Sequence, residues 1–264
     1  MIRILNCFKT TPDLDQVPEA DWLSGASAGA FDFYGIKSEI DPCSECALEM
    51  TLQATDSVRE AVELTALTIG QEVSEKGLRT LFALGFDAGV RIDGNPDPFC
   101  PEQTAHLIKD YCISNQSFDL IVMGDLSADG NNRKTQFLLT EYLGYPIAQR
   151  VLEFSFTDDN RVRIKREIPG GFCEETRALP LIISVGDVPG MLLRVPTLMQ
   201  RKKASEKQIQ RISYEGTSID EEASITLTAL EYLDQSRSGE VIHADSPAHA
   251  AQILHDRYLR GLKK

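Results

Sequence analysis

The sequence predicts an α/β fold: a mostly parallel sheet, antiparallel strands added later in the chain, and a helical arm at the end. Three observations carry this. From residue 3 to residue 144 short apolar runs alternate with amphipathic stretches, and each run closes on a glycine-bearing turn. Such alternation needs helices on both faces of a parallel sheet. After Pro146 the apolar period shortens to two, the pattern of antiparallel strands. The last residues, "SPAHAAQILHDRYLRGLKK" at 246–264, place apolar side chains at helical spacing with no sheet segment following them.

The elements follow in order. "RILNCF" at 3–8 is a strand, and residues 10–38, rich in Pro, Asp, Gly and Ala, read as a loop or small hairpin. "SECALEMTLQAT" at 44–55 is a helix whose start is marked by Asp41, Pro42 and Ser44. A strand over 61–70 ends in Gly70, a helix covers 72–86, and "AGVRID" at 88–93 is the third strand. A helix over 101–113 leads to the strand "DLIVMG" at 119–124, and the helix "TQFLLTEYLG" at 135–144 ends in glycine. Residues 149–187 alternate apolar and polar with turn signals at Asp158 to Asn160 and Pro169 to Gly171, which predicts antiparallel strands returning to the sheet. The basic stretch 199–216 reads as a solvated helix end or linker. In the tail, Ser246 caps, Pro247 takes the first helical position, and Ala250, Ile253, Leu254 and Tyr258 share a face that needs a docking surface.

Composition removes several functions. The chain of 264 residues has 27 basic and 40 acidic side chains, a formal charge of −13 that argues against nucleic-acid binding. No run of about 18 apolar residues exists to insert into a membrane, and the N-terminus turns polar too soon for a signal peptide. A cytoplasmic chain with six free cysteines is expected. Cys43 and Cys46 form a CxxC that could hold a metal or act as a redox pair, although no second CxxC or His pair completes a zinc set. The histidines at 106, 243, 249 and 255 lie away from Ser127 and Cys7, so no nucleophile–base pair is apparent and catalysis by side chains is not expected.

The stretch "FDLIVMGDLSADGNNRKTQF" at 118–137 holds the most chemistry. A glycine after a buried strand permits close approach to the backbone, and the helix start near Lys134 and Thr135 offers N–H groups, a hydroxyl and a cation to a phosphate. The loop is neither GxxxxGK[ST] nor GxGxxG, so spacing alone leaves a phosphate site and a plain surface turn both open.

Taken in order, "RILNCFKTTPD", "DPCSECALE" at 41–49, "LTALTIG" at 64–70, "LRTLFALGFDAGVRI" at 78–92, "FDLIVMGDLSADG" at 118–130, "LGYP" at 143–146, "VRIKREIPGG" at 162–171, "LP" at 179–180 and "VPTLMQRKK" at 195–203 resemble the beta (small) subunit of electron transfer flavoproteins. The resemblance spans nearly the whole chain. It implies a Rossmann-like, adenine-nucleotide-binding domain over residues 1–200 and an arm over 201–264 that docks on an alpha subunit carrying the redox-active FAD. It further implies that the beta subunit itself holds AMP or FAD, along Cys7, the segment Asp41, Pro42, Cys43 and Ser44, Ile69, and the loop Gly124, Asp125, Leu126, Ser127, Ala128, Asp129, Gly130, Asn131, Asn132, Arg133, Lys134 and Thr135. Val195, Pro196, Leu198 and Met199 match the loop through which such subunits meet dehydrogenases.

The chain departs from the usual family pattern in two places. Asp41-Pro42 stands where Asn-Pro is usual, and "DGNNRKTQ" replaces an acidic triplet or "DGDT", with Lys134 where Gln is usual and Arg133 beside it. Beside a phosphate such a cation contributes about 1 to 3 kcal/mol. "GDLSAD" also looks like the GD-x-S-x-D form of Fix-type and carnitine-pathway relatives. An alternative is an ATP- or AMP-binding homodimer similar to universal stress proteins, although the Gly-Ser element those chains use is missing. A hydrolase or ligase of the same superfold would want an SGGxDS loop, also missing.

Overall fold

In the computed structural model the described residues are all those outside 29–30, 32, 57, 59–60, 95–99, 116, 158, 160, 214–227, 230, 232, 234–238 and 261–264. Strands β1 (Ile2–Cys7), β4 (Val62–Gly70), β5 (Ala88–Asp93), β6 (Leu120–Gly124), β7 (Ile147–Phe156), β8 (Arg161–Ile168), β9 (Gly171–Ala178), β10 (Leu181–Val185) and β11 (Ile209–Ile212) form one nine-stranded sheet in the order β11-β5-β4-β1-β6-β10-β7-β8-β9. Strands β2 (Thr10–Pro12) and β3 (Ser38–Ile40) pair antiparallel as a separate ribbon. β1, β4, β5, β6, β10 and β11 run parallel, while β7–β8 and β8–β9 are antiparallel hairpin pairs.

Helices cover both faces. On one lie α2 (Pro42–Asp56), α3 (Glu75–Ala83) and α6 (Leu198–Ala204), which pack with Ile4, Leu64, Leu120, Ile183 and Ile209 in one apolar cluster. On the other lie α4 (Pro101–Ser114) and α5 (Thr135–Leu143), whose Leu107, Ile108, Cys112 and Leu139 meet Leu5, Leu67, Ile121 and Ile182. The split follows the period of two along each strand: Ile4 and Leu5, Leu120 and Ile121, Ile182 and Ile183 feed opposite faces.

Three differences from the sequence reading have physical causes. Segment 10–38 does form a hairpin, but it also contains helix α1 (Glu19–Ala28), in which only Gly25 is buried. A helix with no apolar stripe leaves no periodic signal. The segment "LIISV" is not an antiparallel return: β10 inserts parallel between β6 and β7 with all five residues buried, and a run buried on both faces carries no mark of its direction. The basic stretch after residue 199 supplies α6 and then β11, which pairs parallel with β5 from Ile209↔Gly89 to Ile212↔Ile92. The sheet therefore draws on residues past position 200. Lys207 joins this edge to the core, its Nζ donating to Phe86 O at 2.6 Å while its own carbonyl accepts from Arg79 Nη1 at 2.5 Å.

The predicted helix over 72–86 is a 3-10 turn at Glu72–Ser74 followed by α3. Gly144, at φ 69°, ends α5 in the left-handed conformation its sequence position suggested. Asp158 and Asn160 of the predicted first hairpin turn lie outside the described residues. In the arm, α7 (Pro247–Leu254) is capped by the Ser246 hydroxyl, which accepts from His249 N at 3.2 Å, and a π turn at His255–Leu259 continues it. Leu254, Tyr258 and Leu259 remain exposed on it.

Candidate functional site

From β1 the chain passes to β4 and β5 on one side, then crosses to β6 on the other, so the strand order reverses beside β1. Ligands of open α/β sheets sit beyond the carboxyl ends of strands at such a reversal. A cleft lies there, lined by Cys7 from β1 and Phe8 just past it, Leu67 and Ile69 from β4, Met123 and Gly124 from β6, and the loop that follows β6.

The cleft brings together Cys7, Ser44, Ile69, Gly124, Asp125, Leu126, Ser127, Asn132, Arg133 and Thr135 from the sequence-predicted set. Asp41, Pro42, Cys43, Ala128, Asp129, Gly130, Asn131 and Lys134 are not among its lining residues. Asp41 is buried behind the wall, where its Oδ1 accepts from Cys43 N at 3.1 Å and its Oδ2 from Ala128 N at 2.8 Å. It thus caps α2 and ties the β6–α5 loop to that cap. Burial pushes its carboxyl up from the ordinary value, against the hydrogen bonds from Ala128, Cys43 and Ser44.

Gly124 is constrained by protein packing as well as lining the cleft. A Cβ there would stand 3.0 Å from Cys43 C, Cys43 Cβ and Ser44 N, so the first turn of α2 can pack on β6 only because the side chain is absent. Two further loop residues, Asn131 at φ 43° and Arg133 at φ 56°, take the left-handed conformation. For arginine this costs about 1 to 2 kcal/mol. The turn brings the Arg133 guanidinium 3.9 Å from Asp125 Oδ2. Asp125 is buried, its Oδ1 has no hydrogen-bond partner, and burial raises its carboxyl pKa against the pull of Arg133 and Arg150. Lys134 instead stands at the start of α5, its backbone N–H donating to Asn132 Oδ1 at 2.9 Å.

Sequence reasoning missed Phe8, Lys9, Leu67, Pro101, Thr104, Ile108, Met123 and Gln136, all of which line the cleft. Lys9 was findable as the first cation past β1. Its Nζ holds Asp129 Oδ1 at 2.7 Å and its N–H donates to Ser44 Oγ at 3.2 Å, so it links three segments of the wall. Pro101, Thr104 and Ile108 come from α4, whose position depends on a crossover that local patterns do not encode.

The CxxC lies within the buried start of α2. Cys43 and Cys46 are both buried; burial pushes the Cys43 thiol up to about 12 and raises that of Cys46. Neither supplies a thiolate at neutral pH, and among the described residues no His, Cys, Asp and Glu group is arranged to hold a metal. His106 stacks on Tyr142 with ring centroids 4.4 Å apart.

Comparison with known proteins decides the class. The family pattern described as "Electron transfer flavoprotein domain" matches residues 29–213. The chain belongs to the electron transfer flavoprotein beta-subunit family. An Escherichia coli (strain K12) chain, YgcR, named as an electron transfer flavoprotein subunit, is 31% identical over 261 residues, 98% of each chain. The electron transfer flavoprotein subunit beta of Bacillus subtilis (strain 168) is 29% identical over 220 residues, covering 81% of this chain and 83% of that one. The subunit beta of Dictyostelium discoideum is 26% identical over 206 residues, covering 78% and 80%.

Of the family residues expected at a dehydrogenase, Val195, Leu198 and Met199 are 83%, 85% and 79% exposed, whereas Pro196 is buried. Three apolar side chains this exposed lie within five residues of one another. Among the described residues no helix is long and apolar enough to cross a membrane.

Proposed function

We propose that this beta subunit holds an adenine nucleotide, AMP or FAD, in the cleft beyond β1, β4 and β6, and pairs with an alpha subunit that carries FAD. The observation that supports this reading is the division of the cleft. Leu67, Ile69, Ile108 and Met123 form an apolar wall for a flat base, and Ser127, Asn132, Arg133 and Thr135 form a polar, cationic end for phosphate. This lining suits the adenosine phosphate part common to both nucleotides; a flavin, where bound, would supply the electron-transfer chemistry. The exposed Leu254, Tyr258 and Leu259 of the arm give the alpha subunit an apolar strip to cover, and Val195, Leu198 and Met199 give a dehydrogenase another. A cytoplasmic setting suits six unpaired cysteines.

The test is co-expression with the alpha subunit, heat release of bound nucleotide and mass analysis. AMP or FAD at one equivalent beyond the alpha-subunit flavin supports the reading. A heterodimer with no flavin absorbance, or a stable homodimer loaded with ATP, sinks it. Arg133→Ala should weaken nucleotide retention about tenfold, near 1.4 kcal/mol.

A further inference from the structure

Helix α2 does more than close the cleft. Cys46, Glu49, Gln53 and Asp56 lie three or four residues apart, so they share one face of it. Cys46, Glu49 and Asp56 hold the segment that joins β10 to α6. The Cys46 thiol meets Val188 O at 4.0 Å and Met191 O at 3.5 Å. Glu49, 5% exposed, accepts from the Arg194 backbone N–H at 3.0 Å, from Arg194 Nε at 3.1 Å and from Nη2 at 2.9 Å. Arg194 Nη1 reaches Asp56 Oδ2 at 2.8 Å, and Gln53 Nε2 donates to Glu49 Oε1 at 3.0 Å.

The residue after this grip is Val195, one of the outward apolar side chains, and the next, Pro196, is buried. Thr197 then opens α6 with a capping box: its hydroxyl accepts from Gln200 N at 3.3 Å and the Gln200 side chain accepts from Thr197 N at 2.8 Å. Val195 is therefore turned out between two fixed points, and Leu198 and Met199 follow on the first turn of α6.

We infer that Arg194 is the positioning residue of the dehydrogenase-docking surface, gripping Glu49 and Asp56 so that Val195, Leu198 and Met199 are presented in one arrangement before a partner arrives. A loop already held in its bound shape loses less freedom on docking, which raises affinity without adding a contact. The inference rests on the reading that these three side chains meet a dehydrogenase.

The experiment uses the heterodimer with its alpha subunit and the flavin-dependent dehydrogenase that reduces it. Glu49→Gln/Arg194→Met removes the guanidinium–carboxylate fork without leaving a buried charge unpaired, keeping at most the backbone hydrogen bond at residue 194; Arg194→Lys keeps the charge but not the fork; Val195→Glu strikes the contact itself. With the double variant, flavin content and melting temperature should hold, amide exchange over residues 187–197 should quicken about tenfold, and KM for the heterodimer should rise about tenfold with kcat unchanged. Arg194→Lys should fall between. If Val195→Glu impairs reduction but the double variant leaves KM or loop exchange as in the wild type, the positioning role is overturned while the docking surface stands. If Val195→Glu has no effect on reduction, the docking reading fails and this inference with it.

Discussion

At its first turn helix α2 meets Asp41 and Asp125, and further along it presents Glu49 and Asp56. The carboxylates near the cleft carry raised pKa values because burial outweighs their partners, and Asp125 Oδ1 has no partner at all. At Glu49 burial also pushes the carboxyl up, but the Arg194 hydrogen bonds outweigh it and the carboxyl ends below its ordinary value. One helix thus joins an electrostatically incomplete site to a completed one. A binding site needs spare polar capacity facing its ligand, whereas an anchor needs every lone pair filled.

Removing a partner at the completed end should have the largest effect. Arg194→Ala strands the Glu49 carboxylate in a buried position, and unpairing a buried ion pair costs about 3 to 5 kcal/mol. Arg194 keeps 36% of its side chain exposed, so screening reduces the expected loss to about 2 kcal/mol, read as a shift in urea midpoint. Next comes the contact between helix and sheet. Gly124→Ala forces a Cβ against the backbone of Cys43 and Ser44 and should cost about 1 to 2 kcal/mol, with a loss of bound nucleotide as the α2 cap shifts. Asp125→Asn should change stability by less than about 1 kcal/mol, because the carboxylate it removes is only partly paired. A fall of several kcal/mol in that variant would erase the contrast between the two ends.

Acidity sharpens the contrast by sign. The folded pKa of Glu49 lies below its unfolded value near 4.3, so its contribution is complete above that pH and is lost as pH falls through the folded pKa. The stability difference between wild type and Arg194→Ala should shrink below about pH 4. The folded pKa of Asp125 lies above its unfolded value near 3.9, so the folded chain takes up its proton first on acidification. Wild type should therefore gain on Asp125→Asn as pH falls from 7 through that raised pKa, measured as paired unfolding midpoints.

Much of the sheet was legible because its strands are apolar runs ending in turns: "AGVRID" is β5 to the residue, and β4 and β6 each differ by one. Direction and edges were not legible. The five buried residues of β10 read alike whether the strand runs parallel or antiparallel, and β11 hides in a basic stretch because as an edge strand it buries chiefly Ile209. The cleft shows the same division. Gly124 was legible because it ends a strand, whereas Cys7, Ser44 and Ile69 came only with the family resemblance. Asp41 was misplaced by one layer, since a helix cap and a ligand contact call for the same residue type. Thr104 was missed because α4 brings it to the cleft from the far side of the sheet's strand ends, and Gln136 because it lies inside α5, one residue past the loop.

The route of the chain from β10 to β11 has a consequence for how the surface is made. It leaves the sheet beside β6 and returns beyond β5, passing β6, β1, β4 and β5, a traverse of about 24 Å at the usual strand spacing. Residues 186–208 are a strap across the domain, and β11 is its buckle. Until Ile209–Ile212 find β5, about 120 positions earlier in the chain, the strap is held by β10 and by the Arg194 contacts with α2 while its far end is unfastened. The exposed Val195, Leu198 and Met199 lie on this strap, and its far half is expected to be among the last parts of the domain to mature. Ile209→Asp should leave nucleotide retention near wild type and quicken amide exchange over residues 199–208, and unchanged exchange there would show that the strap does not depend on its buckle.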